Sequence, residues 1–127
     1  MERRLISSGS SWEAQYGYSR AVVAGGRVHV SGTAPIMPED ADPPADPYAQ
    51  ARRCLEIVED ALAQAGASPA DVVRTRVFVT DGAFVPDVVR AHGEVFGAAR
   101  PACTGVVAEL LDPRWLVEIE AEAILPS

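Results

Sequence analysis

A carboxylate stands at every second position of the last strand-like segment. From Val117 onwards, apolar residues alternate with Glu118, Glu120 and Glu122. Because the side chains of a strand alternate between its two faces, these three carboxylates share one face. A carboxylate there could act in general acid–base catalysis, since it can take a proton from water and give it to another group. A solvated strand face is the alternative interpretation of the same pattern.

A second group of candidate residues lies on a predicted hairpin near the N-terminus. Gly25-Gly26 between two strand-like segments is typical of a two-residue hairpin loop. The register that this loop sets places Arg20 opposite Ser31 and Tyr18 opposite Thr33. One face then carries a mainly polar set, and the apolar residues of the other face must pack on helices. The polar set is Tyr18, Arg20, Val22, His29, Ser31 and Thr33.

Two helices and three further strands are predicted around these groups. Asp46-Pro47 starts a helix, apolar residues follow at three- and four-residue spacing, and Gly66 ends it. The other predicted elements are a strand over 72–79, a helix from about Phe84 or Pro86 to Phe96, and strands over about 102–110 and 115–124 joined by a hairpin through Asp112-Pro113-Arg114. This order predicts one α+β domain over residues 1–127, with a single mixed sheet and both helices on one face.

The charge balance excludes several kinds of partner and chemistry. The net charge is −7 and the pI is about 4.7, so a phosphate backbone would meet a repulsive surface. We therefore expect no nucleic-acid partner. All eleven basic residues are arginines, and the absence of lysine excludes Schiff-base catalysis by a lysine side chain.

The sequence also lacks the marks of membrane, secreted and metal-binding proteins. No apolar run approaches the roughly 20 residues of a membrane helix, and Met1-Glu2-Arg3-Arg4-Leu5 is not followed by a signal-peptide core. Two cysteines, Cys54 and Cys103, do not make a disulfide framework. With no ligand spacing or nucleotide motif, we expect no metal, no cofactor, no membrane partner and a cytoplasmic location.

Motifs from both ends of the chain form one recognisable set. They are Arg100-Pro101-Ala102-Cys103-Thr104, Leu110-Leu111-Asp112-Pro113-Arg114, Leu116-Val117-Glu118-Ile119-Glu120-Ala121, Tyr18 and Val30-Ser31-Gly32. This set resembles the RidA/YjgF family of reactive-intermediate deaminases over nearly the whole chain. The resemblance implies a homotrimer whose sheets pack around a central axis. It also implies a cofactor-free site in a cleft between subunits, where small imines such as 2-aminoacrylate are hydrolysed.

The resemblance also assigns roles to individual residues. Glu118 matches the family carboxylate that contacts the ligand and the attacking water, and Ser31 is the second predicted catalytic residue. The predicted ligand-binding residues are Tyr18, Gly32, Cys103 and Thr104, which occupy family positions, and Arg20, which the hairpin register adds.

Cys103 departs from the family pattern. It replaces the arginine that holds the substrate carboxylate in the deaminating members, and a thiol has neither the charge nor the planar fork of donors. Losing that anchor would cost on the order of 2–4 kcal/mol, so we expect weak or no activity on 2-aminoacrylate-type substrates. Cys103 could instead be a buried thiol that fills the vacated space, or a nucleophile if His29 or His92 lowered its pKa. His92 also fits a hydrogen-bonded core histidine.

Arg20 is the candidate to replace the missing arginine, since the hairpin register places it beside Ser31 on the polar face. The alternative is an ordinary strand arginine that pairs with Glu118 or Glu120.

Two functions therefore stay open. The chain is a trimeric imine or enamine hydrolase with an altered substrate range, or it is a non-catalytic protein that binds a small metabolite or serves as a pathway accessory and has lost deaminase activity.

Overall fold

Six strands form one mixed sheet in the computed structural model, which describes residues 2–127. The strands are β1 (Arg3–Ile6), β2 (Ala21–Ala24), β3 (Arg27–Thr33), β4 (Val72–Val79), β5 (Ala102–Val107) and β6 (Val117–Ile124). Their order across the sheet is β1-β2-β3-β6-β4-β5. The β4–β5 pair is parallel, and the other neighbouring pairs are antiparallel.

Two long helices, α2 (Pro47–Ala65) and α3 (Val85–Phe96), pack on one face of this sheet. The Asp46 carboxylate accepts a hydrogen bond of 3.0 Å from the Ala49 N–H at the start of α2, and Gly66 ends the helix with a φ of 89°. The predicted α+β fold, with one mixed sheet and two helices on one face, is confirmed. Within residues 2–127, no helix combines the length and the apolar character that crossing a membrane requires.

The core lies between the sheet and the two long helices. It is built from the apolar stripe of α2, one edge of α3 and the helix-facing positions of the strands. Its fully buried members include Ala21, Val28, Cys54, Leu55, Val58, Leu62, Val88, Ala91, Val117 and Ile119. The opposite face of the sheet carries the alternate residues of each strand and is not covered by any helix of the described chain. This second face is the open face.

Two elements at the N-terminus were not predicted. They are β1 and a six-residue helix, α1 (Ser11–Tyr16). In β1, only Ile6 is buried, and two of its four residues are arginines, so it shows no apolar alternation. The α1 helix is too short to show an apolar periodicity in the sequence. The only local indication of it is Ser10, which caps the helix by accepting a hydrogen bond from the Trp12 N–H.

The hairpin register was predicted correctly. Val22 pairs with His29 and Ala24 with Arg27 around the Gly25-Gly26 loop. The Ser31 N–H donates to the Arg20 carbonyl at 3.0 Å, so Arg20 lies opposite Ser31.

A β-bulge interrupts β3 at the point where the site was predicted. Val30 pairs with Ala121 and Thr33 pairs with Ile119, so two residues of β3 stand opposite the single Glu120. The predicted orientation of Thr33 is therefore wrong. The extra residue turns Thr33 onto the helix-bearing face, where it is fully buried.

The predicted hairpin between the last two strands is also wrong. β5 runs parallel to β4 at the edge of the sheet, while β6 lies on the other side of β4. After β4, the helix α3 carries the chain back to the end of the sheet at which β4 began. β5 therefore starts beside the start of β4 and runs parallel to it. The segment through Asp112-Pro113-Arg114 is thus a connection past the end of β4.

Candidate functional site

Glu118 packs against the bulge on the open face. Gly32 lies so close that a Cβ added to it would be 3.2 Å from Cδ and 3.4 Å from Oε2 of Glu118. A contact of 3.2 Å is tighter than side chains normally accept, so the missing side chain of Gly32 makes room for the carboxylate. The bulge therefore brings the predicted residues Ser31, Gly32 and Glu118 together within one chain.

The Glu118 carboxylate is half-buried and has no hydrogen-bond or ion-pair partner among residues 2–127. Burial raises its pKa, the positive charge of Arg20 opposes that rise, and the neighbouring Glu120 adds to it. A carboxyl group with free lone pairs and a raised pKa suits proton transfer near neutral pH.

The other two glutamates of β6 differ from Glu118 because each has a cation beside it. Arg76 Nη1 lies 2.9 Å from Glu120 Oε1 and 3.6 Å from Glu122 Oε1. His29 Nδ1 lies 3.8 Å from the same oxygen of Glu122. The Arg76 pairs were not predicted, because they follow from the β4–β6 register rather than from spacing along the sequence.

Arg20, directly before β2, is hydrogen-bonded to the backbone of the bulge. Its Nη2 donates to the carbonyls of Ser31 at 2.9 Å and Gly32 at 2.8 Å. Burial lowers the pKa of the guanidinium, while the carboxylates of Glu13 and Glu118 raise it. No ion pair joins Arg20 to Glu118 or Glu120 within the described chain, so the partners expected for a structural Arg20 were wrong.

The Ser31 hydroxyl already has a partner of its own. It donates to the Ser19 carbonyl at 2.7 Å, which leaves its oxygen lone pairs as acceptors. In this arrangement Ser31 can orient a water molecule or a ligand N–H.

Tyr18 lies at the N-terminal edge of this group, directly after α1. Its backbone N–H donates to the Glu13 carbonyl at 3.0 Å, and its side chain is exposed, like those of Trp12 and Tyr16. The structure therefore brings four predicted residues together at the bulge, namely Arg20, Ser31, Gly32 and Glu118. Tyr18 precedes Ser19, whose carbonyl accepts the hydrogen bond of the Ser31 hydroxyl.

Cys103 and Thr104 lie apart from this group within one chain. Both are on β5, and β4 separates β5 from β6, a distance of roughly 10 Å between strand axes. Cys103 pairs with the buried Thr75, so it points to the helix-bearing face, opposite to Glu118. Thr104 points to the open face, where its hydroxyl accepts a bond of 2.7 Å from Arg74 Nη2.

Cys103 is exposed, so the interpretation as a buried space-filling thiol is wrong for the single chain. Every residue of β5 is exposed in the same way, because β5 is an edge strand with no neighbour on its outer side.

His92 behaves as a core histidine. Its Nε2 lies 2.8 Å from Thr75 Oγ1, and its ring packs on Phe96 with centroids 4.9 Å apart. Burial lowers the pKa of the imidazole, so the ring is neutral at pH 7 and supplies no positive charge to activate Cys103.

Comparisons with known proteins agree with this fold. Residues 8–125 match the family model described as Endoribonuclease L-PSP. A crystal structure from Mycobacterium tuberculosis, a member of the YjgF/YER057c/UK114 family, has 44% identity and a TM-score of 0.87, covering 98% of this chain and 100% of that chain. An uncharacterized protein from Streptomyces coelicolor is 39% identical over 94% of this chain and 90% of its own length. A RutC family protein from Pyrococcus abyssi is 34% identical over 84% of both chains.

Proposed function

The chain belongs to the RutC/YjgF family, and we propose that it binds and hydrolyses a small imine or enamine at the bulge beside Glu118. One observation carries the proposal. Glu118 is a half-buried carboxylate with no hydrogen-bond or ion-pair partner within residues 2–127, and it lies against a glycine that leaves room beside it. The acidic surface, with a net charge of −7, favours a small ligand over a nucleic acid.

The reaction would convert an imine and one water into a carbonyl compound and ammonia. Glu118 takes a proton from the water as the water oxygen forms a bond to the imine carbon, and it passes this proton to the nitrogen as the C=N double bond becomes single. Glu118 then moves the hydroxyl proton of this carbinolamine to the nitrogen while the C–N bond breaks and the C=O bond forms, so that ammonia leaves. An enamine first gains a proton on carbon and loses one from nitrogen, which converts it to the imine. Glu118 serves as both base and acid.

We further propose that the site is completed by a second subunit in a homotrimer. Two observations support this proposal. The open face carries the Glu118 group without a cover, and β5 has exposed residues on both faces, including Val106, Val107, Cys103 and Thr104. The β5 edge of one subunit beside the bulge of the next would bring the two groups of predicted residues together.

The substrate range would differ from that of arginine-bearing relatives. The neutral thiol of Cys103 cannot hold a carboxylate, which favours uncharged imines, or ligands whose anion is held elsewhere. The same observation supports the second candidate function, a metabolite-binding protein without deaminase activity.

An imine panel distinguishes the two functions. Imines with and without a carboxylate are generated in situ by an amino-acid oxidase or an amine oxidase, and ammonia release is followed. The enzyme proposal expects turnover above the spontaneous rate for at least one imine and its loss in Glu118→Gln. Binding of an imine analogue by calorimetry without any turnover would identify the binding protein instead.

A further inference from the structure

Arg20 and Glu118 contact the same residue from two sides. Arg20 Nη2 donates to the Gly32 carbonyl at 2.8 Å, and the Glu118 carboxyl group fills the space where a Gly32 side chain would stand. The guanidinium and the carboxylate are therefore close neighbours, although no direct ion pair joins them within residues 2–127. They lie on the β2 and β6 sides of β3, the strand that carries the bulge.

The guanidinium is fixed in this place by hydrogen bonds that are unrelated to Glu118. One Nη2 holds two successive carbonyls of β3, and the Arg20 backbone is bonded to both neighbouring strands, through its N–H to Ile6 at 2.9 Å and through its carbonyl to Ser31 at 3.0 Å. Because these bonds fix the guanidinium, its positive charge stays at a nearly constant distance from the Glu118 carboxylate.

We propose that Arg20 is a positioning residue that holds the Ser31–Gly32 bulge in shape and favours the ionised form of Glu118. Without this charge, the half-buried carboxyl group would bind a proton more readily, and less of it would be ionised and able to take a proton from water. The inference rests on the proposed role of Glu118, and it adds the residue that shifts the balance between its ionised and protonated forms.

The other charged and titratable groups around Glu118 do not supply the same effect. Glu120 on β6 favours the protonated form of Glu118. The Cys54 thiol on α2 is buried, and burial raises its pKa far above neutrality, so it carries no charge. Phe78, the partner of Glu118 on β4, does not titrate. Glu13 on α1 acts on Arg20 and is itself hydrogen-bonded by Ser8.

The test measures the titration of Glu118 without any substrate. The side-chain carboxyl carbon of Glu118 is followed by NMR from pH 3 to pH 9 in the full-length protein, with its signal assigned from Glu118→Gln. We expect the midpoint to rise by about one pH unit in Arg20→Gln, and to stay close to the wild-type value in Arg20→Lys, which keeps the charge.

Arg76→Gln is the matched control, since Arg76 lies on the same sheet face and pairs with Glu120 rather than Glu118. An unchanged midpoint in Arg20→Gln, an equal rise in Arg20→Lys, or an equal rise in Arg76→Gln would each overturn the proposal. If Arg20→Gln does not fold, Arg20→Met, which keeps an apolar stem of similar length without the charge, takes its place in the same titration. A midpoint in Arg20→Met that stays at the wild-type value then overturns the proposal.

The outcome is separable from that of the proposed function. A protein that hydrolyses no imine but shows the expected shift refutes the hydrolase and leaves the role of Arg20 intact. If the protein hydrolyses imines but the midpoint is unchanged in Arg20→Gln, the proposed function stands and the role of Arg20 is refuted.

Discussion

Gly32 shows how one missing side chain can shape a site. A methyl group at this position would be 3.2 Å from Glu118 Cδ, so Gly32→Ala should push the carboxylate away from the bulge. Gly32 has no left-handed φ, and alanine fits the backbone. We therefore expect imine hydrolysis to fall at least about tenfold, with the free energy of unfolding changed by less than about 1 kcal/mol.

Gly82→Ala is the matched control for that prediction. Gly82 lies between β4 and α3, its φ is not left-handed, and a Cβ there would meet no atom within 4 Å. Steady-state assays and urea unfolding of both variants separate a local effect on Glu118 from a general cost of alanine. Equal activity in the two variants would contradict the role given to Gly32.

Cys103 offers a gain-of-function prediction at the same scale. Cys103→Arg restores the residue type that the family uses to hold a carboxylate, on an exposed edge strand that can accept a longer side chain. We expect hydrolysis of 2-aminoacrylate to rise by about 30-fold or more, since a charge-assisted anchor contributes about 2 kcal/mol. Cys103→Leu, which adds bulk without charge, should show no gain, and an equal rate in the two variants would contradict the argument about position 103.

The sequence predicted which residues of the first hairpin face each other. It did not predict features that depend on contacts between distant parts of the chain. The hairpin register could be derived because Gly25-Gly26 leaves few turn geometries, and it placed Arg20 beside Ser31 correctly. The bulge at Ser31 and Gly32 could not be derived, because an extra residue in a strand leaves no periodic signal. The Arg20 bonds to the bulge carbonyls followed from that bulge and were missed with it.

Among the elements, α2 carries one polar residue that ties the surrounding connections to the core. Gln50 is 1% exposed. Its Nε2 donates to the carbonyls of Pro44 at 2.8 Å and Arg114 at 2.9 Å, and its Oε1 accepts from the Leu116 N–H at 2.8 Å. Gln50 thus joins the segment before α2 to the start of β6, the strand that carries Glu118.

Replacing Gln50 should therefore be costly. Gln50→Leu leaves two carbonyls and one N–H without partners in a buried place, and we expect a loss of about 3 kcal/mol in the free energy of unfolding by urea. Gln64→Leu is the control on the same helix, since the Gln64 side chain is exposed and its Nε2 donates to the Asp60 carboxylate at 2.8 Å. A loss of similar size in both variants would contradict this role of Gln50.

The contact between α3 and β4 gives a pH prediction. Burial lowers the pKa of His92 below its unfolded value near 6.5. The unfolded chain then binds more protons than the folded chain in the range between the two pKa values. Stability should fall as the pH drops below about 6.5 and should be fully kept above about 7. His92→Gln, which can still bond to Thr75, should flatten this part of the profile when urea unfolding is measured between pH 5 and pH 8, and an unchanged slope would contradict it.

The arrangement of elements was predicted less completely than their positions along the chain. Amphipathic spacing and caps located α2 and α3, since both signals are local. Strand neighbours are not local, and β5 was paired with β6 because only the short connection between them was visible. The fold instead pairs β5 with β4 across α3, which leaves β5 at the edge.

At the scale of the whole molecule, the open face and the β5 edge expose surface that a partner could cover. The family resemblance implies that further copies of the same chain cover it, in a trimer. We expect a mass three times that of the 13.5 kDa chain by light scattering at micromolar concentration. A monomer would contradict both the trimer and the shared site.

Subunit mixing tests whether the site is shared. Glu118→Gln removes the carboxylate of the bulge, and Thr104→Trp blocks the β5 edge, so each homotrimer should be inactive on any imine that the wild type hydrolyses. In a cyclic trimer with both kinds of subunit, one interface receives both changes and another receives neither. When the two variants carry different tags and are co-expressed, each trimer purified through both tags should keep one intact site of its three, or about one third of the wild-type activity. Activity of the purified two-tag trimers is the measurement, with a wild-type mixture as the control. If each site were formed by a single chain, every subunit would carry one lesion, and the mixed trimers would stay as inactive as their parents.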